Sequence, residues 1–302
     1  MTKPQKLKGR IRRSKIQYAM VGFYDLLGFS DRVKKIKSEK ALEKLAIAIE
    51  SVHRHFDFAS REHDTRDLHK DIKKHVLAFS DCLVTSLSLE SDYVRGEGPF
   101  DTIGYEILGL AYAQYQSVLD GNFLRGGLDI GFWYNHKNIL ISPALVSSYN
   151  IERHIACYPV IAVSDTLYHQ LRKSSGRKQY SKSYDPFPSM FQFFLHPESA
   201  KRIRFLNYIG MIIPDLGWQY DRKTYARYMA APRDSDTREE IMARGYTKTL
   251  KKFFGQHRDV VAKALRNAKQ ENIRKKYEFL ADYHNRELRK VFTKPDELLI
   301  VL

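Results

Sequence analysis

Residues 17–30 read QYAMVGFYDLLGFS, and the rest of the chain is best read outward from them. Apolar, β-branched and aromatic residues fill 18–27, which predicts a buried strand. One acid, Asp25, stands inside that run between Phe23-Tyr24 and Leu26-Leu27. Burying a carboxylate is costly unless it is paired or bound to a metal ion. A second stretch, VLAFSDCLVTS (76–86), places Asp81 in the same predicament. Taken singly, each Asp is also readable as a turn or cap residue at a strand end.

The segments between them supply a frame. Leu42, Leu45, Ile49, Val52 and Phe56 recur at helical spacing and predict a helix over 39–60. Residues 61–72 are polar and read as a loop. The runs 75–79 and 83–89 flank Ser80-Asp81-Cys82 and predict a hairpin with Ser80-Asp81 near its turn. A second helix is expected over 102–119, with Asp101 as N-cap and Gly121 just past the end. Residues 123–133 predict a strand with Leu124, Leu128, Ile130 and Phe132 on one face. Ser142-Pro143 opens a further helix that ends before Pro159, and a short buried strand follows at 160–163. Strand–helix–hairpin–helix–strand is the ferredoxin-like βαββαβ order, an α+β fold. In it the first strand lies beside the hairpin, so Asp25 and Asp81 would meet in space as a pair suited to Mg²⁺ or Mn²⁺.

Beyond 165 come a Ser/Lys/Arg-rich loop (172–183), strand-like FQFFL and IRFLNYIG, and two helical stretches at 236–256 and 258–291. The expected organisation is a basic mobile tail at 1–15, a catalytic-type domain at 16–210 and a C-terminal helical extension at 211–302. That extension would pack on the core or build a dimer.

Among 302 residues, 51 Lys+Arg stand against 35 Asp+Glu, a net charge of +16. This implies a polyanionic partner: nucleic acid, an anionic surface or a phosphate-rich small molecule. Seven of the basic residues fall in the first 15 positions, before any acid. Cys82 and Cys157 form no CxxC or Cys/His pair, which argues against structural zinc and for a reducing compartment. No apolar run approaches the length of a membrane span, and no signal-peptide core follows the basic start. A soluble, cytoplasmic protein is expected.

GFYDLLGFS (22–30) resembles the first metal motif of class III adenylate and guanylate cyclases, and LAFSDCLVTS (77–86) resembles the hairpin bearing their second Asp. RGGLDIG (125–131) is similar to the following strand. SPALVSSYNIERHIACYP (142–159) and KYEFLADYHN (276–285) resemble a divergent bacterial branch that contains the pyrimidine cyclases of Pycsar antiphage systems. The resemblance implies that Asp25, Asp81 and the Leu26 carbonyl hold two Mn²⁺ or Mg²⁺ ions. It implies a homodimer, and in-line attack of a ribose 3′-OH on the α-phosphorus of a nucleoside triphosphate, with loss of pyrophosphate. The product would be cyclic UMP or cyclic CMP, UTP being the favoured substrate, read by a downstream effector.

The chain departs from that family's purine enzymes. Their base-reading Lys or Glu falls here on Leu77, and the Asn and Arg of the following helix fall on Val146 and Asn150. Leu77 therefore speaks against a purine, and Leu77, Arg125, Tyr149 and Asn150 are the candidate substrate contacts. Two readings stand for Arg125: a base or phosphate contact, or a strand-end Arg reaching solvent. Tyr149 reads equally as a core residue of an apolar helix face. Two other functions remain open: an inactive cyclase-fold module that senses nucleotides, and a basic nucleic-acid-binding protein. The second ranks below because no aromatic-basic RNA motif is present, and no stable nucleic-acid partner is expected.

Overall fold

A computed structural model of the chain describes residues 16–58, 73–136, 139–218, 222–233 and 236–301. The basic tail at 1–15 and the expected loop at 61–72 lie outside the described residues.

The strand predicted around Asp25 is β1 (Ile16–Leu26). A short helix α1 (Phe29–Lys34) and the long α2 (Glu39–Phe58) lead to the hairpin of β2 (Lys74–Phe79) and β3 (Cys82–Ser88). Then come α3 (Asp92–Glu97), α4 (Pro99–Leu119) and β4 (Leu124–His136). Strand order is β2-β3-β1-β4, and β1 runs antiparallel to both β3 and β4. That is the ferredoxin-like arrangement with a mixed α+β content. The sheet continues past β4 through β6 (Ile161–Val163), β8 (Arg202–Leu206) and β7 (Phe191–Leu195), and the three-residue β5 (Ile139–Ile141) pairs with the far end of β4.

Alternation along β1 decides which side each residue serves. Met20, Tyr24 and Leu26 face the main core with α2 and α4, where Tyr24 packs on Phe56 and bonds Thr85. Ala19 and Val21 face the other way, into a smaller cluster with Trp133 and Ala144. That second face is covered by α5 (Pro143–His154), capped by the Ser142 hydroxyl, which accepts from Leu145 N. The helix approaches the sheet at Gly127, where a Cβ would come within 2.1 Å of the Ser148 carbonyl oxygen. Only a residue without a side chain permits that contact.

After β6 come α6 (Asp165–Lys173), α7 (Phe187–Met190), α8 (Tyr208–Asp215), α9 (Arg222–Ala230), α10 (Asp236–Asn267) and α11 (Glu271–Val291). The C-terminal helices pack on the sheet core: Phe254, Val261, Leu280 and Tyr283 are buried with Leu128, Phe205 and Ile107 in one cluster.

Several local expectations are corrected. Helix α4 begins at Pro99 with Gly98 as N-cap, and Asp101 lies in its first turn; proline at N1 sets the start. The two C-terminal helices divide at 268–270, and not near 257, because His257 is buried inside α10. Phe132 is largely exposed, resting edge-on against Tyr18 on the face of β4 opposite Trp133, which is buried against α5. IRFLNYIG is strand only to Leu206; Asn207 caps α8 by accepting from Gly210 N.

Candidate functional site

Asp25 is the penultimate residue of β1, and the register sets its surroundings. On one side Tyr24 pairs with Leu83, which brings Asp25 alongside Cys82 and Asp81 at the hairpin turn. Ser80 turns the hairpin with φ 57°, an uncommon conformation for a residue with a side chain, and so presents Asp81 toward β1. On the other side Asp25 faces Arg125 across the β1–β4 ladder. Donor atoms of Asp25, Asp81 and Cys82 all lie within 4.8 Å of one another.

The electrostatics fit this crowding. Burial, and then the Asp81 carboxyl and the charge of Glu152, push Asp25 up to about 7, against the pull of Arg125. Two close carboxyls that cannot both ionise comfortably are matched by a divalent cation, with its demand for hard oxygen ligands. Cys82 is a poorer ligand for such an ion: burial and the neighbouring Asp81 and Asp25 push its thiol up to about 12. The donor set thus fits Mg²⁺ or Mn²⁺ on Asp25 and Asp81. Leu26 has its side chain in the core, so only its carbonyl is available for the metal role expected of it.

Arg125 lies between two acids. Its Nη2 is 3.5 Å from Asp25 Oδ2 and makes a closer ion pair with Glu152, a buried acid on α5. Arg125 is therefore held between the two acids, with its side chain 23% exposed. The sequence does not mark Glu152, because IER on an amphipathic helix looks like a solvated charged face. Its pKa is raised by burial, while Arg125 pulls it down.

The structure places the remaining candidates on β2 and α5. Leu77 is partly exposed and pairs in register with Val84. Tyr149 packs edge-on against Phe23, the β1 residue two before Asp25, with ring centroids 5.3 Å apart. Its hydroxyl accepts from Arg153, one turn further along α5. Tyr149 thus packs on β1, the strand that carries Asp25. Asn150 and Val146 are exposed on α5. The sequence also left Lys276 without a role; the structure sets it on α11 within the electrostatic reach of Arg125, Asp25 and Glu152.

No protein-family model and no curated protein matches the chain. Among solved structures it is similar to the monomeric guanylyl cyclase domain of the RhoGC fusion protein from the aquatic fungus Blastocladiella emersonii, at 12% identity and TM-score 0.40 over 63% of this chain and 94% of that one. It is similar to the adenylyl cyclase CyaB from P. aeruginosa, at 11% identity and TM-score 0.38 over 63% of this chain and 94% of that one. A bacterial light-regulated adenylyl cyclase matches at 16% identity and TM-score 0.34 over 64% of this chain and 91% of that one. These are distant likenesses, and the functional reading stands on the site residues.

Proposed function

We propose that the chain is a nucleotide cyclase that converts a pyrimidine nucleoside triphosphate, UTP before CTP, to its 3′,5′-cyclic monophosphate and pyrophosphate. The observation that carries this reading is the Asp25–Asp81 carboxyl pair at the mouth of β1 and the β2–β3 hairpin, with Arg125 beside it. Mn²⁺ or Mg²⁺ held there would supply Lewis-acid activation of the attacking hydroxyl and of the phosphoryl oxygens. Asp25 and Asp81 hold the ions; Arg125 offers positive charge toward the phosphates, where negative charge develops. By the resemblance to class III cyclases Leu77 falls at the position where their purine enzymes read the base, and an isobutyl group offers a base no hydrogen bond.

The reading extends to a homodimer, in which a second copy covers Leu77, Phe79 and Val146, the exposed apolar side chains around the site. It extends to a cytoplasmic enzyme whose product signals to an effector in antiphage defence, as the resemblance to Pycsar cyclases implies. No helix among the described residues is long and apolar enough to cross a membrane.

The test is incubation of the protein with each of the four nucleoside triphosphates and Mn²⁺, with products identified by mass. Cyclic UMP or cyclic CMP is expected. Asp25→Ala and Asp81→Ala are each expected to lower its formation at least about a hundredfold, since each removes a ligand of the phosphoryl-activating ions. Unchanged turnover in both variants would refute the site.

One observation favours a second reading, a nucleotide-sensing module. Neither Val146 nor Asn150 supplies a cation for the transition state, and the nearest arginine on that helix, Arg153, is engaged with Tyr149. Saturable nucleotide binding without any cyclic product would support it.

A further inference from the structure

Helix α11 carries a lysine that neither the fold nor the carboxylate pair requires. Two ring contacts fix the helix against the site's edge. Tyr277 packs on Phe123, two residues before Arg125, with centroids 4.8 Å apart. Phe279 stacks on Tyr158, next to Cys157, at 4.1 Å and an interplanar angle of 3°. Lys276 lies one turn before Phe279 and Leu280 on the same side of the helix, so these anchors direct it toward the start of β4.

Lys276 is half-buried there. Its pKa is lowered, by burial first and then by the Arg125 charge, while Cys157, Asp25 and Glu152 pull the other way. Those four residues belong to the edge just described. Its neighbour Lys275 is exposed and reaches Glu271 at 3.7 Å, whereas Lys276 has no ion-pair partner among the described residues. Holding a lysine half-buried and unpaired is unfavourable unless an anion arrives to meet it. Arg125 is already shared between Glu152 and Asp25, which leaves the site short of free positive charge.

We propose that Lys276 is a phosphate-binding side chain of the Asp25–Asp81 site, so that the C-terminal helical extension forms part of that site. The proposal rests on the nucleotide reading above and deepens it. The polyphosphate arm of the substrate lies between Arg125 on β4 and Lys276 on α11. Removal of α11 would cost substrate binding as well as stability.

The experiment is calorimetric titration of the full chain with tripolyphosphate, with and without Mn²⁺, comparing Lys276→Gln with Lys275→Gln. The two variants remove the same charge from adjacent positions. Lys276→Gln is expected to weaken tripolyphosphate binding on the order of tenfold or more, the loss of one charge-assisted contact, and Lys276→Arg to retain most of it. Lys275→Gln is expected to bind as the parent does. Equal weakening in both glutamine variants would reduce the effect to net charge, and unchanged affinity in Lys276→Gln with a lowered Tm would assign Lys276 to folding. Either outcome overturns the proposal. Mn²⁺ binding by Asp81→Asn tests the metal reading separately. If the ion binds this variant as it binds the parent, that reading fails, while a Lys276-dependent loss of metal-free tripolyphosphate binding would still stand.

Discussion

Arg125 sits between two acids of unequal burial. Asp25 is partly open to solvent, whereas the Glu152 side chain is only 5% exposed. Removing the guanidinium would leave Glu152 uncompensated in a poorly hydrated place. Arg125→Met is therefore expected to destabilise the fold by about 3 kcal/mol, the lower end for a broken buried pair because the guanidinium itself is partly solvated. The double variant Arg125→Met/Glu152→Gln is expected to recover most of that loss. Urea unfolding of the four proteins in the cycle measures it, and a double variant no more stable than the single would show that Glu152 does not depend on Arg125. Arg125 was recognisable in the sequence because it is a cation in a strand-like segment near a glycine pair. Glu152 was not, because helical spacing leaves the depth of a helix face in the fold undetermined.

At the scale of elements, α5 matters most to the surroundings of Asp25, because it carries Glu152, which pairs with Arg125, and Tyr149, which packs on Phe23. Two contacts seat it on the sheet: the Ser148 hydroxyl donates to the Val21 carbonyl at 2.9 Å, and the Ser148 backbone crosses Gly127. Gly127→Ala is expected to push α5 away and to cost about 1–3 kcal/mol, the usual range for overpacking. It should also loosen the Tyr149–Phe23 contact, so nucleotide binding should fall together with Tm. Gly121→Ala offers no comparison for packing alone, since its φ of 75° strains any side chain. Gly131→Ala does, because its nearest neighbour there would be the Ala144 Cβ at 3.3 Å. The smaller effect is expected at Gly131.

Across the whole molecule, the C-terminal helices are tied to the core through a buried polar chain. The Tyr208 hydroxyl meets His257 Nε2 at 2.6 Å, His257 and His284 share a hydrogen bond between their Nδ1 atoms at 3.0 Å, and His284 Nε2 donates to the Leu298 carbonyl at 2.9 Å. Asn285 holds the last residues through both the N–H and the carbonyl of Ile300. Burial holds both imidazoles neutral: His257 lies well below the ordinary value, and His284 is lowered to about 4. With the folded value below the unfolded one, the unfolded chain takes up protons first as pH falls. Stability is then full above about 6.5 and is lost progressively from there toward 4. For His284 the loss amounts to about 3 kcal/mol. Asp25, pushed up to about 7, gains stability over the same range, so the histidine part is read from the difference between the parent and His284→Gln in thermal unfolding from pH 7 to 4.5; an equal pH dependence in the two proteins would place the titrating group elsewhere.

The sequence by itself determined the strand–helix–hairpin–helix–strand order of the core, and with it the expectation that Asp25 and Asp81 meet. The elements follow from local patterns of alternating apolar residues and a hairpin turn, and the ferredoxin-like order of those elements brings the strand-end Asp25 beside the turn residue Asp81. The tertiary structure alone decided that Glu152 is buried against Arg125, that Phe132 is exposed, that His257 and His284 meet, and that Lys276 is half-buried within the electrostatic influence of Arg125. Each of these depends on which face of a helix or strand meets a distant part of the chain. Periodicity marks such faces, but the sheet's register and the final packing choose their partners.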